Sequence, residues 1–161
     1  MDIFETVVAR AAGISAESPL AGVLSGRSDI LELTEKSHDA AIRPNQPGGL
    51  THSERAALAC RIARLNNEAA LAQHYENLMG GGVQAIADTG FDGGGDFRLK
   101  VILRHTDLVA VNPKEAVSGD IAALKSAGIA EADIVRLSQL IAFVSYQVRV
   151  VAGLRLMAEV S

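Results

Sequence analysis

The sequence predicts an all-α fold, and three observations carry that expectation. No segment sustains the period-two alternation of a half-buried strand. The β-branched residues sit inside patterns of helical period. Glycine, proline and asparagine then punctuate the chain at helix-length intervals, which is where helices stop.

Taken in order, residues 2–12 form a short amphipathic segment that Gly13 ends. Ser18-Pro19 opens a second, since proline suits a first helical turn, and Gly26 closes it. Residues 28–43 read as a helix with Ile30, Leu33, Ser37 and Ala41 at helical spacing, and residues 44–49 break it with two prolines and two glycines. Thr51-x-x-Glu54 is a capping-box pattern at the head of the next helix, 51–65. Asn66-Asn67 bends the chain before 68–79, so these two helices form an antiparallel or bent pair, and Gly80-Gly81-Gly82 is the stop. After a second flexible stretch at 90–95 come helices over 97–109, 119–126 and about 130–159. No tandem repeat is visible.

Composition narrows the function classes. A chain of 161 residues with 48% hydrophobic and 21% charged content reads as one soluble globular domain with a real core. Net charge is −4 and the fifteen basic residues form no stripe, which argues against nucleic acid as a partner. The N-terminus carries acids where a signal peptide carries bases, and the apolar stretch between Arg136 and Arg149 is short of the ~20 residues a membrane span needs. A cytoplasmic protein with no membrane partner is the expectation. Cys60 is the single cysteine, so no intramolecular disulfide forms. No His/Cys/Asp/Glu cluster has metal-ligand spacing, and neither triple glycine is followed by Lys-Ser/Thr as a phosphate loop would be. No metal or cofactor is expected.

The segment 48–75, Gly-Gly-Leu-Thr-x-x-Glu-Arg running through Asn66 to His74 and Tyr75, carries the strongest motif. It resembles the alkylhydroperoxidase D-like / carboxymuconolactone decarboxylase family, in which such a helix leads into Asn-Gly-Cys-x-x-Cys-x-x-x-His. The family His corresponds to His74 or its neighbour Tyr75. The thiol positions fall among Asn67, Glu68, Ala70 and Leu71, and none is a cysteine. Further matches in order are Ser18-Pro19-Leu20-Ala21, Leu103-Arg104-His105-Thr106-Asp107, and a final helix in which Ser145 and Arg149 are the polar points, with Val148 where the family has Asn. The resemblance implies a helical bundle of this family's type, one domain over 1–161 with a core at 28–160 and an N-terminal helical extension at 1–27. In thiol-active relatives a helix-start thiolate of lowered pKa reacts, a second cysteine resolves it, and a His one turn on relays the proton, supported by a Glu. Here the survivors are His74 and Glu54, which are the candidate catalytic residues.

Each candidate has a plainer reading. Glu54 closes the capping box. His74 can simply bond a neighbour on a half-polar helix. His105 faces the core side of its helix, one turn from Val101 and two from Phe97, while His38 and His52 read as surface residues beside loops. Cys60 lies among Leu58, Ala59 and Ile62 as a small buried hydrophobe.

Three functions follow. One is a cysteine-independent proton-transfer enzyme, like the lactone decarboxylase side of the family, with a small-molecule ligand near His74. A second is a non-catalytic subunit or binding protein working beside a cysteine-bearing paralogue. The third is a one-thiol peroxidase using Cys60. The final helix is apolar nearly all round from Leu140 to Met157, so self-association through it into a homo-oligomer is also expected.

Overall fold

A computed structural model describes residues 1–160 of the chain. Among these residues there are nine α-helices, two short 3-10 turns at Ile3–Glu5 and Pro113–Glu115, and no strand. The helices are α1 (Val7–Ala12), α2 (Ala21–Ser25), α3 (Ser28–Ile42), α4 (His52–Leu65), α5 (Ala69–Leu78), α6 (Gln84–Ala87), α7 (Phe97–Val111), α8 (Ser118–Ser126) and α9 (Glu131–Glu159). The all-α class and most element positions agree with the sequence reading. The short α6, inside the glycine-rich connection, is the one helix that reading did not contain.

Helix α4 is the axis of the fold, and α3, α5, α6, α7 and α9 all pack on it. Every residue from Arg55 to Ala63 is buried. Ala56, Ala57, Ala59, Cys60 and Ala63 supply a helix surface thin enough for neighbours to approach on all sides. Its start is fixed by the full capping box: the Glu54 N–H donates to Thr51 Oγ1 at 3.1 Å, and the Thr51 N–H donates to Glu54 Oε2 at 2.8 Å. At its end Asn67 takes φ 56°, a left-handed turn that asparagine tolerates. The chain then doubles back as α5. Cys60 Sγ donates to the Ala72 carbonyl at 3.4 Å, and the two residues sit symmetrically about Asn66, so α4 and α5 form an antiparallel hairpin.

Two arginines bury their stems in α4 and spend their heads on loops. Arg55 donates to the carbonyls of Leu50 (3.0 Å), Ala41 (3.0 Å) and Pro47 (2.8 Å), which gathers the 43–50 connection. Arg61 grips Asp107 of α7 through both carboxylate oxygens at 2.6 Å and also donates to the carbonyls of Ile86, Asp88, Thr89 and Phe91. The glycine-rich 80–96 segment is thereby held against the core.

The buried face of α3 departs from the expected one. Leu31, Thr34, His38 and Ile42 point inward, while Ile30 is 38% and Leu33 57% exposed. The face lies one residue, about 100°, away from the Ile30–Leu33–Ser37–Ala41 row. The N-terminal segment is also part of the common core, since Val8 and Ala9 are fully buried there. Glu35 Oε2 accepts the Val7 N–H at 2.9 Å and so ties the start of α1 to α3.

Helix α9 buries Ile134, Leu137, Leu140, Ile141, Val144, Gln147 and Val151 against the rest of the chain. Phe143, Val148 and Leu154 are partly covered, and Leu156 and Met157 are exposed. By length and composition alone α9 reaches the range of a membrane-crossing helix, with mean hydropathy 1.4 over an 18-residue window of which 28% is buried. The apolar strip it leaves open continues onto Ile30 and Leu33 of α3 and Val23 of α2.

Two outcomes follow. Thr51→Ala removes one half of the capping box and lowers the unfolding free energy by about 0.5–2 kcal/mol in denaturant titrations. For the expected self-association, light scattering at micromolar protein reads a multiple of 16.9 kDa, and Leu33→Glu on the open strip returns it to the single-chain mass without loss of helicity. A wild-type mass of one chain refutes it.

Candidate functional site

Consecutive residues of α5, about 100° apart around the helix, reach different depths of the fold. Tyr75 enters the core and is fully buried, while His74 lies at a half-enclosed cavity of about 380 Å³. That cavity has three walls: Glu5, Val7, Arg10 and Ala11 from the N-terminal segment; Glu35, His38, Asp39 and Arg43 from α3; and Ala70, His74 and Leu78 from α5. The shifted face of α3 is what brings His38 here. His38 is 5% exposed, so its assignment as a surface residue beside a loop is corrected.

The two histidines meet directly. His38 Nε2 and His74 Nε2 are 3.0 Å apart, with ring centroids 5.1 Å apart and planes tilted by 58°. One nitrogen must donate and the other accept. His38 Nδ1 lies 3.2 Å from Asp39 Oδ1, and an ionised carboxylate only accepts, so Nδ1 of His38 carries hydrogen. The network therefore assigns a bare His38 Nε2 that accepts from His74 Nε2–H, and a bare His74 Nδ1. That last nitrogen forms no hydrogen bond within the chain. Unlike His105 Nδ1, it is not a sealed, unpartnered atom.

The charges of the site are largely spoken for. Arg10 bonds Glu5, Glu35 accepts the Val7 amide, and Asp39 faces His38. Arg43 lines the cavity and forms no ion pair with another of the described residues. Burial comes first, followed by the electrostatic influence of the neighbouring His38 and the positive charges of Arg43 and Arg10, and together they hold the His74 pKa down to about 4. His74 is accordingly neutral at physiological pH. Behind the pair, Tyr75 stacks on His38 with centroids 5.9 Å apart and an angle of 21°, and its hydroxyl donates to Gln147 Oε1 of α9. Burial, reinforced by Glu35, pushes the Tyr75 phenol far above its ordinary range.

The other candidates lie elsewhere. Glu54 stays in the capping box with one oxygen and pairs with Arg98 at 3.3 Å through the other, and it does not line the His74 cavity. Cys60 is fully buried, and burial raises its thiol pKa. His105 is a core residue, as its position suggested, although Phe97 on the row used to argue it is 63% exposed. His52 is exposed and bonds the Pro44 carbonyl at 2.9 Å. Among the positions matched to the family thiols, Glu68 is buried and holds Arg155 of α9 through both oxygens at 2.6 and 2.8 Å, and Ala70 alone lines the cavity. Arg149 is exposed and donates to the Ser145 carbonyl, while Ser145 Oγ is buried without a partner.

His38, Glu35, Asp39, Arg43 and Gln147 are the residues that sequence reasoning did not single out. A signal existed for the first two, because Glu35 and His38 are one helical turn apart and therefore share a face. Among the described residues no three His, Cys, Asp or Glu side chains gather to hold a metal ion. No family model, no curated protein and no solved structure matches the chain.

The depressed His74 pKa has a direct thermodynamic sign. Between pH 6.5 and about 4 the unfolded chain takes up a proton that the folded chain refuses, so stability is present above pH 6.5 and is lost as pH falls. Burial depresses His105 in the same direction. Denaturant titrations across this window show stability rising with pH, with roughly 1–2 kcal/mol from His74 after discounting for its partial exposure. His74→Gln flattens that part of the slope.

Proposed function

We propose that the chain is a cysteine-independent proton-transfer enzyme, of the lactone-decarboxylase kind that its family resemblance suggests. Its substrate is a small carboxylate-bearing molecule held in the His74 cavity. One observation carries the reading: a neutral histidine that lines a cavity has one ring nitrogen bonded to a second histidine and the other without a hydrogen bond among the described residues. A general base needs a proton-accepting atom within reach of substrate and a route for the proton it takes, and this arrangement supplies both.

The steps balance without any thiol. His74 Nδ1 removes a proton from a carbon next to a carbonyl, leaving an enolate. As that proton arrives, the one on His74 Nε2 passes to His38 Nε2 across their 3.0 Å contact, and the one on His38 Nδ1 passes to Asp39 Oδ1 across a 3.2 Å contact. The Asp39 side chain is 73% exposed, so it exchanges with water. Run in reverse, the chain delivers a proton to carbon, as decarboxylation of a carboxylated lactone requires once carbon dioxide has left. Arg43, which has no carboxylate of its own, is suited to orient the acid group of the substrate. In this reading Glu54 serves the helix start, and the supporting carboxylate is Asp39. The enclosed Cys60 lends no support to a one-thiol peroxidase.

The test is exchange of carbon-bound hydrogen. A panel of carboxylated unsaturated lactones and 2-oxo acids in deuterated buffer is followed by proton NMR. Wild-type protein is expected to label one member, and His74→Gln to slow that labelling by about 10²–10⁴-fold, the usual worth of a general base. His38→Gln slows it as well. No labelling above buffer across the panel, with the same ligands still bound, would instead identify a binding subunit.

A further inference from the structure

We infer that Tyr75 and Gln147 form a positioning pair, which sets the angle at which His38 and His74 meet and so decides which of them carries the shared proton. The inference rests on the proton-transfer reading of that site. Three observations support it. Tyr75 touches both imidazoles, stacked on His38 at 5.9 Å and edge-on to His74 at 5.1 Å and 71°. Its hydroxyl has one partner, Gln147 Oε1, across from α9. Gln147 is fully buried and its amide nitrogen has no partner at all.

That last fact separates positioning from ordinary core stability. A buried amide satisfied at one end only is worse for folding than a leucine of similar volume, and replacing both members of a buried polar pair by apolar side chains tends to be neutral or stabilising. The contact is therefore unfavourable as packing and informative as geometry. A tyrosine ring unrestrained at its hydroxyl can swing its far end about χ1 and so slide across His38. Tethered to α9, it is held in place against His38, whose further ring neighbours are His74 and, edge-on at 6.4 Å, Phe143. With His38 fixed, His74 is kept in the half-buried position that holds it neutral. The charged groups facing the pair are Glu35, Asp39 and Arg43 of α3, and Glu5 and Arg10 of the N-terminal segment, and none of them touches Tyr75 or Gln147 by hydrogen bond or ion pair.

The test uses the whole chain labelled with ¹⁵N-histidine and reads tautomers and titration by long-range proton–nitrogen correlation. In wild type, His38 is expected protonated at Nδ1, and His74 titrates at about 4. In Tyr75→Phe/Gln147→Leu, the melting temperature is expected to stay level or rise. The His74 midpoint moves up by at least about half a unit toward its ordinary value, and the two tautomers average. A double variant as stable as wild type with unchanged histidine spectra overturns the positioning pair and leaves the proton-transfer reading standing. A wild-type His74 that titrates near 6.5 overturns both, since the histidine pair is then not formed. Should the double variant fail to fold, Gln147→Met removes only the tether of the hydroxyl. The same upward shift in that protein supports the inference, and its absence there is equally decisive against it.

Discussion

A central helix buried on every side must dispose of its polar ends, and the architecture follows from how α4 does so. Its alanines and Cys60 allow five helices to approach, but a helix so enclosed has no solvent-facing stripe on which to place Arg55 and Arg61. A buried guanidinium is tolerable only when its donors are all taken up. Both are answered by backbone carbonyls from loops and from the last turns of α3 and α6, and Arg61 also by Asp107. The loops of this protein are consequently shaped from the inside, by hydrogen-bond donors they must reach. Removing the Arg55 head would leave three carbonyls without a donor, and removing the Arg61 head would leave several carbonyls and the Asp107 carboxylate unsatisfied at once.

The cavity inherits its position from that arrangement. With α5 folded back on α4 and α3 laid across it, adjacent residues His74 and Tyr75 are divided between a solvent-accessible recess and the core. The division accounts for the chemistry of the site. Half-burial beside Arg43 and Arg10 keeps His74 neutral, full burial keeps Tyr75 protonated, and the Asp39 carboxylate stands exposed at the rim.

How much of this was legible depended on whether the signal was local. The capping box at Thr51 and Glu54, the turn at Asn66-Asn67 and the glycine stops are short-range devices, and the structure contains them where the sequence placed them. The buried face of α3 was misread for a physical reason. Ile30 and Leu33 outrank Thr34 and His38 in hydrophobicity, yet Thr34 is bonded to Tyr146 and His38 to His74, so the inward row mixes these polar residues with Leu31 and Ile42. His38 was read as a surface residue for that reason, and its partner His74 lies 36 residues away on another helix. The contribution of the N-terminal segment to the cavity had no local mark either, since Glu5 and Arg10 look like any surface pair. Periodicity reports which side of a helix is apolar, and here the functional surface is where that rule is broken.

The Glu68–Arg155 bond has a consequence for the order in which the protein is built. Arg155 also donates to the Ala11 carbonyl at 2.6 Å, joining segments 144 positions apart. Ala11 is itself part of the cavity wall. A nascent chain leaving the ribosome would complete the α4–α5 hairpin early, from contacts close in sequence. The wall beside His74 can already form from α1, α3 and α5, which the Val7–Glu35 bond joins, and α9 adds its clamp on Ala11 afterwards. The later element therefore stiffens a recess that earlier ones outline.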